Sequence, residues 1–360
     1  MDIHKATASY EKWMAARTAP VKADLAFKHK QMAEAVFPFL RATFYRWVQL
    51  WEEVCADLAA APSVLAVGDL HVENFGTWRD SEGRLIWGVN DFDEAYPAAY
   101  TIDLVRLATS ARIATQEEHL AIRFKEACEA ILDGYTEGLR SGGRPFVLSE
   151  YHTWLRTIAL NELRNPVVFW KRMEGWPQVQ GEVPAEARRL LEELLPGRGI
   201  KYRMKRRVAG LGSLGHQRLL ALAHWCGGFA AREAKALLPS AFVWQAGRAS
   251  NETILYERIV TRAVRMQDPF VQVRGDWLVR RLAPDCSRIE LSSLPKKRDE
   301  ARLLHAMGWE TANVHLGSPN AISAVERDLK RRPARWLRQA AKKMSQAVTR
   351  QWEDWVKVRS

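Results

Sequence analysis

The stretch from Val64 to Arg106 constrains the fold of this chain more than any other. It reads VLAVGDLHVENFGTW and then, after a short polar break, RLIWGVNDFDEAYPAAYTIDLVRL. Val64–Val67 and Leu85–Val89 are apolar runs of strand length, so the polar clusters after them fall on loops at strand ends, where chemistry usually sits. The first cluster holds Asp69, His71 and Asn74 in a span ending at Phe75-Gly76, too compact and broken for a helix. The second holds Asp91 and Asp93 in Asn90-Asp91-Phe92-Asp93. A lone Asp at a strand end is ordinarily a turn former. Here RDSEG at 79–83 predicts a hairpin that sets the two clusters side by side.

Oxygen donors from Asn and Asp suit a hard cation such as magnesium, which keeps several waters and takes one or two protein carboxylates. No cysteine joins the cluster, which argues against a zinc thiolate site.

At 360 residues the chain exceeds one typical domain, so two lobes sharing a core are expected. A hydrophobic content of 47% with 15 Trp argues for a compact globule over a disordered chain. The net charge of +12 and a pI near 9.7 point to anionic partners: nucleotides, phosphorylated compounds, nucleic acid or a membrane surface. Cys55, Cys128, Cys226 and Cys286 are far apart, which suits reduced thiols in a cytoplasm. The N-terminus has no apolar core of signal-peptide length, and no stretch reaches the roughly 20 apolar residues that span a bilayer. The expected location is cytoplasmic. The pattern carries no signature of oligomeric state.

Along the chain, residues 6–60 predict helices with a break at Pro38. Thr101 opens a helix with Asp103 in its first turn, where free backbone amides favour a carboxylate. Helical patterns continue through 116–140 and 148–164 until Asn165-Pro166 interrupts them, and a further helix covers 184–195. The basic run Arg198, Lys201, Arg203, Lys205, Arg206 and Arg207 reads either as a solvated strand edge or as an anion-binding face.

Gly210, Gly212 and Gly215 then form a G-x-G-x-x-G pattern, which alone often marks only a tight turn. The residues after the glycines are strand-like rather than helical: Arg218–Trp225, a turn at Cys226-Gly227-Gly228, and an apolar run reaching Lys235. This order of strand, glycine loop, strand, turn and strand with a lysine suits a protein-kinase-type nucleotide lobe. There the glycine hairpin covers phosphates and a third-strand lysine reaches them as a point charge. A helix over 250–266 offers Glu252 or Glu257 as an ion-pair partner for Lys235, with Glu257 preferred. Phe270–Arg274 and Trp277–Leu282 add a hairpin, giving the sheet five strands. Residues 296–316 read as a helix, and 321–358 as a basic amphipathic tail expected to pack on its own domain.

At GDLHVENFG and NDFD the chain resembles the protein-kinase-like superfamily, particularly its aminoglycoside and choline phosphotransferase branch. With FPFLRATFYRW, GLGSLG, REAKAL, VRRLAP and GWETANVHLG, it resembles more closely the bacterial family called domain of unknown function 2252, from about residue 30 to 318. The resemblance implies that Asp69 is the catalytic-loop aspartate, that Asn74 and Asp91 bind the metal, and that Asp93 is an additional ligand. It implies that Gly210, Gly212, Ser213 and Gly215 cover the phosphates and that Lys235 binds them. Two features depart from the phosphotransferase pattern. Val67-Gly68 stands where those enzymes have His-Gly before the aspartate, and the glycine loop and lysine come after the catalytic loop instead of preceding it.

The expected fold is therefore α+β, a two-lobed kinase-like fold in circularly permuted order. A helical catalytic and metal lobe spans 1–197, an antiparallel nucleotide lobe 198–292, and helices packing back on the first lobe 293–360. The expected activity is transfer of a phosphoryl group from ATP, with magnesium, to a hydroxyl of a small-molecule acceptor that no motif identifies. Rivals are a nucleotide-binding pseudokinase, a nucleic-acid binder using the basic surface, and a metal-dependent phosphoesterase, whose D-x-H and G-N-H blocks the chain lacks.

Overall fold

A computed structural model describes residues 1–148, 151–159, 165–247, 253–286 and 299–357. The chain opens with five helices, α1 (Ile3–Ala15), α2 (Lys22–Glu34), α3 (Val36–Ala42), α4 (Phe44–Val54) and α5 (Ala56–Ala59). Asp2 caps α1 by accepting from the amide of Lys5. The expected break at Pro38 falls instead at Ala35, which is fully extended between α2 and α3. Pro38 lies in the first turn of α3, where the missing N–H has no helical partner to lose.

Next come β1 (Ser63–Ala66), β2 (Phe75–Arg79), β3 (Leu85–Val89) and β4 (Tyr96–Ala99). The 79–83 hairpin forms, pairing Phe75 with Val89 and Arg79 with Leu85. Strand β4, which the sequence pattern does not single out, pairs with β1. After them run α6 (Thr101–Gln116), α7 (Phe124–Ser141), β5 (Phe146–Val147) and α8 (Thr153–Ala159). Asn165-Pro166 starts a helix rather than ending one. Asn165 accepts from the amides of Val167 and Val168, and Pro166 takes the first position of α9 (Pro166–Gly175).

Helix α10 (Ala185–Leu194) precedes β6 (Tyr202–Arg206), β7 (Arg218–Trp225) and β8 (Gly228–Ala236). Helices α11 (Ala241–Ala246) and α12 (Tyr256–Arg262) lead to β9 (Gln272–Arg274) and β10 (Trp277–Leu282). The helix expected over 250–266 is thus a short one, with Ser250 and Glu252 outside the described residues. The antiparallel sheet has the order β6-β7-β8-β10-β9. Period-two alternation divides its faces. Leu219, Ala221, Ala234, Ala236 and Val279 pack with Leu190 and Leu191 of α10, while Leu220, Leu222 and Leu282 meet Met173 of α9. Glu233 and Lys235 lie on this second face.

The last helices are α13 (Glu300–His315), α14 (Pro319–Arg331) and α15 (Trp336–Lys357). The basic tail is therefore two helices, broken ahead of Pro333. Helix α15 buries Trp336, Leu337, Ala341, Met344, Val348 and Trp355 against the helical core, so its apolar side is spent within the chain. Helices α7 and α13 approach closely at Gly134, Gly138 and Gly308; a Cβ built on Gly134 would come 1.9 Å from the carbonyl oxygen of His305. Among the described residues no helix is long and apolar enough to cross a membrane.

Candidate functional site

The loop after β1 is held from beneath. The amides of Val67 and Gly68 donate to the two carboxylate oxygens of Asp103, at 2.7 and 2.9 Å. Asp103 stands in the first turn of α6, and its side chain is fully buried. His315, at the end of α13, sets Nε2 2.9 Å from the same carboxylate, with its Nδ1 2.8 Å from the hydroxyl of Tyr135. A neutral imidazole that donates to Asp103 and accepts from Tyr135 satisfies both bonds. Gly68 itself has φ +80°, and a Cβ there would come 2.5 Å from the carbonyl oxygen of Glu94.

Asp69 leaves this loop paired with Arg106, which donates to Oδ1 from Nε at 2.8 Å and also from Nη2. The guanidinium is fully buried, donates to the carbonyl of Leu40 at 3.0 Å, and lies 4.9 and 4.8 Å from the rings of Phe44 and Trp47. Desolvation raises the Asp69 carboxyl above its ordinary range, although Arg106 pulls the other way.

The β2–β3 register brings Asn74 beside Asn90 and Asp91: the amide of Asn90 donates to the carbonyl of Asn74 at 2.9 Å. Asn74 spends its Nδ2 hydrogens on the carbonyls of Asp69 and Asp91, both at 3.0 Å. Its Oδ1 is buried with no hydrogen-bond partner, and so is Oδ1 of Asp93. An amide oxygen and one carboxylate oxygen left in this state fit a hard cation. Among the described residues no three His, Cys, Asp or Glu side chains gather as a metal cluster, so the donor set depends on Asn74.

Lys235, on β8 and only 1% exposed, reaches the same two aspartates. Its Nζ lies 3.2 Å from Oδ2 of Asp91 and also pairs with Asp93. Desolvation would raise Asp91, but Lys235, with Arg280 and Arg218 behind it, holds it below the ordinary carboxylate range. Desolvation and the adjacent Asp91 charge push Asp93 up to about 7. Glu257, the expected partner of Lys235, is exposed on α12, and the ion pairs of Lys235 go to Asp91 and Asp93. The correction has a simple cause: two carboxylates at a strand end are already within reach, and a buried ammonium takes the nearest counter-charge.

The glycine loop lies over Asp69. A Cβ on Gly212 would come 3.4 Å from Asp69 Oδ2 and 3.2 Å from the carbonyl oxygen of Arg41. Residues Leu211–Ser213 form a single 3₁₀ turn, and Lys28 of α2 donates to the carbonyl of Gly212 at 2.9 Å. Gly210 and Gly215 have φ of +75° and +104°, so both need glycine for backbone reasons. Desolvation lowers the pKa of Lys28 to about 8.

Asp69, Asn74, Asp91, Asp93 and the glycine loop line one cavity of about 780 Å³. Its lining also includes Arg41 paired with Glu73, and Glu117, whose Oε1 accepts from the amide of Phe37 at 2.9 Å. Most of the basic run is committed internally. Arg203 pairs with Glu174, Arg206 with Asp24 and Arg207 with Glu233, and Lys205 donates to the carbonyls of Glu174 and Trp176 at 2.6 Å. Arg198 and Lys201 remain exposed.

Motif and spacing alone miss Arg106 and the relay from Asp103 to His315. A signal was present: Asp103 and Arg106 are charged residues three apart, flanked by Ile102, Leu104, Val105 and Leu107, which places both on one face of the helix.

Residues 20–166 match the family model described as "Uncharacterized protein conserved in bacteria (DUF2252)", which supports the resemblance over that part of the chain. No curated protein and no solved structure matches the chain.

Proposed function

We propose that this chain is an ATP- and magnesium-dependent phosphotransferase of kinase-like, circularly permuted architecture, acting on a hydroxyl of a small-molecule acceptor. One observation carries the reading. Lys235 meets Asp91 and Asp93 at the cavity where Asp69, Asn74 and the glycine loop also converge, although the two sets are far apart in sequence.

In this reading Asp69 orients the acceptor hydroxyl and takes its proton as the hydroxyl oxygen bonds to the terminal phosphorus. The bond from that phosphorus to the bridging oxygen breaks, and the diphosphate leaves. The raised carboxyl of Asp69 is the stronger base for it, and Arg106 fixes its orientation. Asn74 Oδ1, Asp91 and Asp93 would hold magnesium. Magnesium would offset charge on the phosphates, and Lys235 would add a point charge beside them. The Asp103–His315 relay supports the loop that carries Val67 in place of the phosphotransferase histidine.

The test is whether magnesium–ATP raises the thermal midpoint of the purified protein, followed by ATP consumption over metabolite extracts. No shift and no binding would reject the reading. A pseudokinase is favoured by one observation, the commitment of Asp69 to Arg106. Nucleotide binding without turnover on any acceptor would select it.

A further inference from the structure

Glu233 lies at the centre of an arginine cluster that the phosphotransferase reading does not use. The residue is fully buried on β8, two positions before Lys235 and on the same face of the sheet. Arg280 of β10 donates to its Oε2 from Nε at 2.8 Å, Arg218 of β7 places Nη1 3.3 Å from both carboxylate oxygens, and Arg207 pairs with Oε1. All three arginines line the cavity.

The charges do not balance. Three guanidiniums face one carboxylate, and the carboxylates next along the cavity, Asp91 and Asp93, are engaged by Lys235. Lys235 offsets only one of those two aspartates, so four cations face three carboxylates and at least one positive charge is left over in a largely buried wall, an arrangement that is costly until an anion joins it. Two of the donors are uncommitted as well. Arg218 is 4% exposed, and its Nε and that of Arg207 are buried with no hydrogen-bond partner. Arg280 gives Glu233 only its Nε. Arg218 also donates from Nη2 to Ser213 Oγ at 2.6 Å, and a Cβ on Gly210 would come 2.7 Å from that same nitrogen. The glycine loop is therefore folded directly onto the cluster. Planar guanidinium forks match the oxygens of a phosphate, and its negative charge would offset the surplus.

We propose that Arg207, Arg218 and Arg280, held in place by Glu233, form an anion subsite that takes one phosphate group of a polyphosphate chain. Which chain it is, a nucleoside triphosphate or inorganic polyphosphate, rests on the phosphotransferase reading. The subsite itself does not.

The experiment measures calorimetric binding of ATP, adenosine and inorganic tripolyphosphate to the full chain and to Arg280→Gln, Arg280→Lys and Arg207→Gln, with thermal midpoints as a check on folding. Wild type should bind ATP and tripolyphosphate more tightly than adenosine. Arg280→Gln and Arg207→Gln should each lose about tenfold for both polyphosphates and nothing for adenosine, and Arg280→Lys, which keeps the charge, should fall between. Unchanged ATP and tripolyphosphate affinity in folded Arg280→Gln and Arg207→Gln would overturn the subsite while leaving magnesium–ATP binding intact. Arginine-dependent binding of tripolyphosphate without any binding of ATP would keep the subsite and overturn the phosphotransferase reading. No binding of either polyphosphate by wild type would overturn both.

Discussion

Lys235 Nζ lies 3.2 Å from Oδ2 of Asp91, although 144 residues separate the two in the chain. Removing this buried ammonium would leave two carboxylates without their counter-charge. Lys235→Met should therefore lower the unfolding free energy in urea by about 3 kcal/mol. Because Asp91 then loses its main counter-charge, Asp91→Asn should cost less in the Lys235→Met background than in wild type. Additive effects in that double-mutant cycle would show that the pair is not coupled.

Asp69→Asn and Asp91→Ala should separate chemistry from binding. The first keeps the side-chain shape while removing the base, so transfer should fall by about 10²–10⁴-fold with magnesium–nucleotide affinity nearly unchanged. The second removes a proposed metal ligand, so magnesium-dependent binding itself should weaken. Wild-type activity in both variants would reject the assignment.

Two buried glutamates should tilt the pH dependence of stability in opposite directions. Burial pushes Glu310 up to about 7 against an ordinary value of 4.5, so the folded protein holds this proton more tightly than the unfolded chain. Its contribution is greatest below about pH 4.5 and is lost as pH rises toward 7. Burial would raise Glu233 too, but Arg207, Arg280 and Arg218 outweigh it and hold the carboxyl well below its ordinary range. That contribution is present above about pH 4.5 and is lost as pH falls below it. Urea melts of Glu310→Gln across this range, from about pH 4.5 to about pH 8, should show a shallower decline than wild type. The decline should not vanish, because Glu94 is also raised to about 7.

Gly134→Ala should destabilise the protein by about 2 kcal/mol, against a gain of up to about 1 kcal/mol in intrinsic helix propensity. The added methyl would meet the backbone of α13 at His305, and backbone yields less readily than a side chain. A midpoint equal to or above wild type would mean that α7 and α13 separate without cost.

The hairpin that unites the acidic clusters was legible because its turn chemistry and both its strands are contiguous, from Phe75 to Val89. The two strands after the glycine loop were legible from short apolar runs and the glycine turn between them, and Lys235 from its place on the second of these. The partner of Lys235 was not, because ion pairs across a fold leave no spacing to read, and Glu257 was preferred only for its place in the middle of the expected helix. Arg106 and His315 were hidden for a related reason. Each looks like one more residue of an amphipathic helix until the element it faces is known. The arginines around Glu233 look like ordinary basic residues in the sequence, and only strand register, which brings Arg218 and Arg280 to it, and the fold of the segment after β6, which brings Arg207, reveal that three of them share one carboxylate.

Helix α13 closes against α7 through glycine-tight backbone contacts and ends in the histidine that steadies Asp103. The family match at 20–166 includes α7 and Asp103 but stops well short of α13. A fragment cut at that border would open the Gly134–Gly138 seam to water and strip Tyr135 and Asp103 of their shared partner. The border that the family match draws is therefore not a place to cut: the loop after β1 rests on a helix that begins more than a hundred residues beyond it.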